Sequence, residues 1–447
     1  MRRCDMAWTS KKETTLTPEE KLAKALVPTE EQPYPIPNNW CWSRIGNVLS
    51  LQAGKNISAN EIHNNQDEIF CFPCYGGNGI RGYVKTYNRD GQFPIIGRQG
   101  ALCGNLNWAN GKIYATEHAV VVECPSFINC RWAYYSLGFM NLNQYATATA
   151  QPGLAVSNIV KLPFSVPPLV EQQRIVNRIE SLFAKLDEAK EKAQAIVDGF
   201  EDRKAAILHK AFTGELTKQW RTSKGLSRDS WLHVTVNDVC HDVKVGIVIK
   251  PSQYYTDEDN GTPAFRSANV REFHINDFDW VFLNGQGMET NQRSIVHTGD
   301  VLVVRSGNPG TACVVEEKYN GYNAIDILIA VPNKEVITSD FLCSFTNSPM
   351  GRKLVAENKR GMALAHFNVS GYSKLNLELP SIPEQEQITT TLFKLLDQEQ
   401  QAKETAEQVI DQIDTMKKSI LARAFRGELG TNNPTDESAE ELLKRVL

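Results

Sequence analysis

ILHKAFTGEL at residues 207–216 and ILARAFRGEL at residues 420–429 close two stretches, 171–216 and 384–429, that align without a gap and agree at 17 of 46 positions. Both stretches also open alike, on EQQRI (171–175) and EQEQI (384–388). Each copy is therefore a complete helical unit with its own start and stop, and the match signals internal duplication. The copies lie 213 residues apart. That period is far too long for a solenoid, so the plan is two large modules, each ending in one long helix.

The repeated helices carry a narrow apolar stripe. In the first copy it runs through Ile175, Ile179, Leu182, Leu186, Ala189, Ala193, Ile196 and Phe200, then resumes at Ile207 after Arg203. The second copy uses Ile388, Leu392, Leu395, Ala402, Ala406, Val409, Ile413, Met416 and Ile420, with Glu399 as its interruption. Steps alternating four and three define a heptad, and a sustained heptad needs a partner helix. The other copy is the obvious partner; the alternative is that each helix packs on its own domain as an ordinary amphipathic face. A two-stranded coil is expected, with Arg203 and Glu399 as polar register marks. Packed antiparallel, it places the modules at opposite ends about a pseudo-twofold axis. From Ile175 to Ile207 it measures about 48 Å at about 1.5 Å per residue, on the order of one turn of B-DNA or somewhat more.

At 447 residues and 41% hydrophobic, the chain can bury two or three domain cores. No stretch reads as a membrane span, and the first 35 residues are too polar and charged for a signal peptide. A cytoplasmic location is expected. The ten cysteines are scattered singly apart from Cys71 and Cys74, and no second pair completes a zinc site, so free thiols in a reducing compartment are expected.

The modules share a frame. WCWSRIGNV (40–48) matches WLHVTVNDV (231–239), and PIIGRQG (94–100) matches VLVVRSG (301–307), each an apolar strand running into Arg-x-Gly. Both modules end on an apolar segment, LPFSVPP (162–168) and LNLELP (375–380). Between these anchors they differ almost completely, as two readers of different targets would. Alternating runs such as 113–122 and 324–331 among many Gly, Asn and Pro indicate mixed α/β modules rich in strands and loops.

Two variable modules, each followed by a long helix entering on PPLVEQQRI (167–175) or its variant SIPEQEQI (381–388) and leaving on AFTGEL or AFRGEL, resemble the specificity subunit of type I restriction-modification enzymes. The resemblance implies an α+β chain: two pseudo-twofold-related mixed α/β target recognition domains joined by two long helices forming an antiparallel coiled coil. It places an N-terminal extension with a short helix at 1–39, recognition domains at 40–168 and 231–380, helical regions at 169–216 and 381–429, a linker at 217–230, and a C-terminal tail with a short helix at 430–447. TPEE at 17–20 reads as a capping signal for the first short helix. The family's circular organisation implies that the two chain ends meet, mirroring the linker. It also implies that each domain reads half of a split, asymmetric DNA site, that the helices set the spacer and dock two adenine methyltransferase subunits, and that a motor-nuclease subunit completes the complex.

The residues themselves carry no catalytic motif: no NPPY or DPPY, no phosphate-binding GxxxxGK[ST], no PD-(D/E)xK cluster. The GNG at 77–79 and GQG at 285–287 read as turns, and His118 has no nucleophile beside it in sequence. The chain is expected to be non-catalytic and to hold no cofactor, with S-adenosylmethionine, ATP and Mg on partner subunits. Two alternatives stay open: the recognition chain of a related system with a fused methylase-nuclease partner, and a structural coiled-coil spacer.

Base edges in the major groove are read by Arg, Lys, Asn and Gln on loops or helix ends. The first module offers Lys55, Arg81, Lys85, Arg98, Gln99, Asn105 and Asn107, with Tyr75, Tyr83 and Trp108 near them. The second offers Lys250, Arg266, Asn269, Gln292, Arg293, Arg305, Asn308, Lys359 and Arg360. Arg98 and Arg305 occupy matching places, which suits phosphate contact, loop support or a shared salt bridge better than base choice. Residues 40–166 hold nine Lys and Arg against six Asp and Glu, a balance of +3, while 231–379 hold thirteen against seventeen, a balance of -4. The second module therefore draws DNA only through local patches such as Lys359 and Arg360, and weak binding by the lone chain is expected.

Overall fold

The computed structural model describes residues 17–147, 152–359 and 367–446. Its contacts divide the chain into two units: one takes the residues up to Lys192 and those from Val409 onward, the other Ala193–Gln408. Each repeated helix thus gives one part to each unit.

In the first unit, β1 (Cys41–Arg44) pairs antiparallel with β8 (Pro163–Val166), so the module is closed where it begins and ends. Between them lie β2 (Ser50–Ala53), β3 (Phe72–Gly76), β4 (Gly79–Val84), β5 (Arg89–Gly97), β6 (Leu106–Ala115) and β7 (Ala119–Glu123). They form one sheet in the order β2-β7-β5-β6-β3-β4, antiparallel except for β3 with β6. The β-branched run Val120, Val121 and Val122 is buried on both faces, as expected of a central strand covered on each side. The helix Cys130–Phe139 covers one face. Asn129 caps it by accepting from the Arg131 and Trp132 N–H groups, and Trp132 packs edge-on against Trp40 and beside Phe425.

The second unit repeats this frame. β9 (Leu232–Thr235) pairs with β18 (Asn376–Leu379) and closes the module. β10 (Cys240–Val245), β14 (Val301–Val304), β15 (Ala312–Val314) and β17 (Ile327–Pro332) form a sheet in the order β10-β17-β14-β15, matching β2-β7-β5-β6. β11 (Tyr255–Thr256), β12 (Thr262–Phe265), β13 (Val281–Leu283) and β16 (Asn323–Ala324) form a second sheet whose parallel pair, β12 with β16, repeats β3 with β6. The ten-residue β6 bonds both to β5 and to β3, whereas its counterpart is split into β15 and β16; hence, besides the closing ladders, one six-stranded sheet in the first unit and two four-stranded sheets in the second.

The equivalence extends to single atoms. Gly54 donates to the Ala119 carbonyl and Gly246 to the Ile327 carbonyl, and a Cβ on either would lie 2.1 Å from Ala115 O or 2.3 Å from Ala324 O. Only glycine fits that approach. The helix starts are duplicated too. Buried Gln172 accepts from the Asn129 N–H at 2.7 Å and donates to the Phe127 and Pro167 carbonyls. Buried Gln385 accepts from the Thr338 N–H at 2.8 Å and donates to the Val336 and Pro380 carbonyls. Each glutamine therefore ties a long helix to the cap of the short helix that covers the sheet.

Next to each glutamine sits a buried carboxylate. Glu171 accepts from Thr431 Oγ1 at 2.6 Å and Arg174 Nε at 2.9 Å, and Arg174 also pairs with Asp436. Glu384 accepts from Thr217 Oγ1, Arg221 Nη1 and Trp231 Nε1. Each holds the segment that follows the other helix's GEL exit. In the first unit that segment leads to the helix Ala439–Val446, which meets the Pro18–Ala25 helix through Glu19 and Lys444 at 2.7 Å, while Asn39 bonds Asn433 and Ala439. The two described ends of the chain thus pack together, and Thr17 and Glu20 complete the expected capping box.

The helices run antiparallel within each unit. In the first, Lys190 bonds Asp414 and Lys417 bonds Asp187; in the second, Arg203 bonds Glu399 at 2.7 Å, with Leu208 and Phe212 in one core with Ile388 and Leu392. Ile175, Ile179, Phe200, Ile388, Leu392 and Ile413 are buried, and Leu182, Leu186, Ile207, Leu395, Val409 and Ile420 half-buried. Four stripe positions are exposed instead of buried: Ala189, Ile196, Ala402 and Met416. Ile196 is 41% exposed and Met416 48% exposed. The first helix is interrupted at Gly199 between Leu169–Asp198 and Phe200–Phe212, where Arg203 turns back onto the Ile196 carbonyl, and Val197 is more buried than Ile196. Beside Met416, the Lys417 ammonium lies 5.1 Å from the centre of the Phe183 ring. Among the described residues no helix is long and apolar enough to cross a membrane.

Candidate nucleic-acid interface

In the first unit three loops converge at one end of the sheet: the turn between β3 and β4, residues 98–105 after β5, and residues 116–118 between β6 and β7. Arg98 N–H donates to the His118 carbonyl, Leu154 N–H to the Arg98 carbonyl, and Lys55 N–H to the Ala115 carbonyl, locking the loops to one another. They border a cleft of about 480 Å³ lined by Asn78, Arg81, Gln99, Leu102 and His118 with Gly77, Gly100 and Ala101. Arg81, Gln99, Lys55 and Asn105 are exposed, and Asn105 donates to Asn78 at 3.1 Å. His118 Nε2 lies 3.2 Å from Glu117 Oε1. Asn107 is half-buried at the start of β6, its Nδ2 enclosed without a hydrogen-bond partner.

Three residues named in the first module, Lys85, Tyr75 and Trp108, fall outside this cluster. Lys85 follows the far end of β4, its ammonium 4.9 Å from the Phe70 ring. Tyr75 is buried, its hydroxyl donating to the Trp108 carbonyl, and the Trp108 ring is stacked under Arg131 at 3.8 Å. Asn78 lines the cleft although residue type alone does not single it out. A Gly-Asn-Gly turn between two strands is a hairpin signal, and hairpin tips are where contact residues stand.

In the second unit the loops 246–250 after β10, 305–311 after β14 and 325–326 before β17 correspond to those after β2, after β5 and before β7, while the β3–β4 turn corresponds to the segment 266–280 between β12 and β13; Phe367 N–H donates to the Arg305 carbonyl as Leu154 N–H does to that of Arg98. Their side chains are different. Lys250 and Asn308 are exposed, and Val248 and Ile249 project apolar groups, Ile249 at 76% exposure. Arg305 is not a free cation: its side chain is 15% exposed, 3.0 Å from Asp326 Oδ1, and donates to the Phe367 carbonyl. It braces the loops. Asn269 is also no reader. It is fully buried, accepting from the Arg266 N–H and donating to the Asn276 and Phe278 carbonyls. Replacing Asn269 with Ala should cost about 1–3 kcal/mol through the stranded backbone groups, read as a lower midpoint in denaturant unfolding.

Arg266 is similarly occupied, binding the Asp279 carboxylate and carbonyl within the segment 266–280 that separates β12 from β13. Glu272 of that segment accepts from Lys204 and Arg352. Burial raises its carboxyl pKa, but the two cations outweigh burial and hold it below the ordinary value. Gln292 and Arg293 are exposed on a turn beside β10, where Arg293 faces Asp242 at 3.9 Å. The Lys359 side chain and Arg360 lie outside the described residues.

The duplicated frame has a counterpart among known proteins. Residues 37–196 and 229–412 each match the family described as type I restriction modification DNA specificity domain. This chain belongs to that family. The two matches of the type I DNA specificity domain take in both modules and most of both repeated helices. A stretch of 128 residues is 51% identical to the type I restriction enzyme EcoprrI specificity subunit of Escherichia coli, covering 29% of this chain and 32% of that protein, about a third of its length. The type I restriction enzyme EcoBI specificity subunit of Escherichia coli is 22% identical over 447 residues, with 92% of each chain covered. Among solved structures, the HsdS subunit from Thermoanaerobacter tengcongensis is similar with a TM-score of 0.60 at 18% identity, over 90% of this chain and all of that one. A chain from a study of complex assembly and conformational transition of the type I R-M system gives 0.61 at 16% identity, over 89% of this chain and all of that one. At these identities the likeness shows a shared fold.

Proposed function

We propose that this chain is the non-catalytic, sequence-reading subunit of a cytoplasmic type I restriction-modification complex. In this reading each unit contacts one half of a bipartite, asymmetric double-stranded DNA site with its loop cluster. The paired helices set the unread spacer and dock two adenine methyltransferase subunits, and motor-nuclease subunits complete the assembly. S-adenosylmethionine, ATP and Mg serve the partners.

The supporting observation is the contrast between frame and tips. The order of four strands (β2-β7-β5-β6 and β10-β17-β14-β15), the closing ladders, the glutamine clamps and the glycine at the root of one loop are the same in both units. The loop chemistry is not: Asn78, Arg81, Gln99 and His118 in one, Val248, Ile249, Lys250 and Asn308 in the other. A spacer protein has no use for diversified heads on a fixed frame, whereas two readers of different sequences require them.

Single-molecule sequencing of adenine methylation tests it, in cells expressing the genomic methyltransferase neighbour with and without this chain. The expected result is a split motif carrying one modified adenine on each strand, lost when the chain is omitted. An active methyltransferase whose marks do not depend on the chain would overturn the reading.

A further inference from the structure

We infer that the two units contribute unequally to phosphate binding: the first anchors the duplex electrostatically, and the second discriminates with little charge of its own. The inference rests on the proposed DNA-reading role and adds a division of labour to it.

Net charge gives the first indication, +3 over residues 40–166 against -4 over 231–379. The structure shows where those charges are committed. Among the described residues Lys55, Arg81 and Arg98 of the first loop cluster have no carboxylate partner; Glu123 pairs with Arg89, and Glu117 Oε1 lies 3.2 Å from His118 Nε2. In the second unit Lys250 is exposed without a carboxylate partner among the described residues, but four other cations are taken up internally. Arg266 holds Asp279, Arg305 holds Asp326, Lys318 holds Asp277, and Arg352 holds Glu272.

The matched pair Arg98 and Arg305 makes the contrast at one position. Both follow the same strand, and both have their carbonyls bonded by the segment returning from the far side of the module. Only Arg305 is neutralised by an acid on the neighbouring turn. A guanidinium already bonded to a carboxylate must give up that bond to meet phosphate, so its gain from counterion release is largely cancelled. The second cluster instead exposes Val248 and Ile249, groups suited to a thymine methyl rather than to a phosphate.

Salt dependence separates the two contributions, because each lost phosphate contact lowers the slope of log K against log salt by about 0.9. The assay uses the full chain assembled with its methyltransferase subunits and a fluorescein-labelled mixed-sequence duplex. Arg81→Gln/Arg98→Gln is compared with Lys250→Gln/Arg293→Gln, the melting temperature of each being checked against the unsubstituted complex. The first pair should flatten the slope by about 2 and the second by less than about 1. Equal losses, or a larger loss from the second pair, would overturn the inference while leaving the DNA-reading role standing. Failure of the unsubstituted complex to bind the duplex at any salt concentration would overturn both.

Discussion

Replacing Glu384 with Ala should remove about 3–5 kcal/mol from the stability of the second unit, the range expected when one member of a buried ion pair is deleted. Glu384 is 1% exposed, and its side chain accepts from Thr217 Oγ1 at 2.8 Å, Arg221 Nη1 at 2.6 Å and Trp231 Nε1 at 3.1 Å. Arg221, itself 7% exposed, would be left with only neutral oxygens, among them the Gly214 carbonyl. A charge stranded in that environment costs far more than the pair's net contribution. The loss should appear in denaturant unfolding followed by tryptophan fluorescence, with early hydrogen exchange through residues 217–231. Glu171→Ala should cost less, because Arg174 is 34% exposed and keeps Asp436 as a partner. If Glu384→Ala were no more damaging than Glu171→Ala, the carboxylate would not be what secures the linker.

The same two glutamates show what the sequence could disclose. Their place in EQQRI and EQEQI identifies a repeat, and the apolar spacing behind them identifies long paired helices, because duplication and a 3.5-residue period are one-dimensional signals. What each carboxylate holds is not one-dimensional: Thr431 and Thr217 lie 260 and 167 residues away. The candidate loops were legible in the same partial way. Arg, Asn and Gln between strands can be picked out by type, which finds Arg81, Gln99 and Asn308. Type alone cannot separate these from Asn269, whose amide is spent on three backbone groups, or from Arg305, whose charge is spent on Asp326. The heptad overreached at Ile196 for a related reason, since the interruption at Gly199 decides which residue there faces solvent.

Exchange of residues 40–166 for the equivalent module of a relative should replace one half of the methylated motif and leave the other half unchanged. The fold gives physical reasons for those cut points. β1 and β8 pair along Cys41–Arg44 and Pro163–Val166, so both joints fall at the rim of a closed ladder instead of inside a sheet. The retained part addresses the module partly through backbone: Gln172 bonds the Phe127 carbonyl and the Asn129 N–H, groups that any sequence supplies if the loop keeps its path. Side chains of the module also reach the retained part, Ser43 and Asn47 donating to the Ala25 carbonyl, Trp42 to the Tyr34 carbonyl and Arg44 to Glu31. Trp132 must be matched by an aromatic that packs against Phe425, with Trp40 matched by one that packs against it in turn, since losing a buried aromatic there costs about 3–5 kcal/mol. A graft meeting that demand carries its own Asn78, Arg81 and Gln99 equivalents, and each base pair they read contributes about 1–3 kcal/mol of discrimination. Methylome sequencing of the chimera provides the check. A change in both halves of the motif would mean that base choice is not confined to the module, and the division into two independent readers would have to be abandoned.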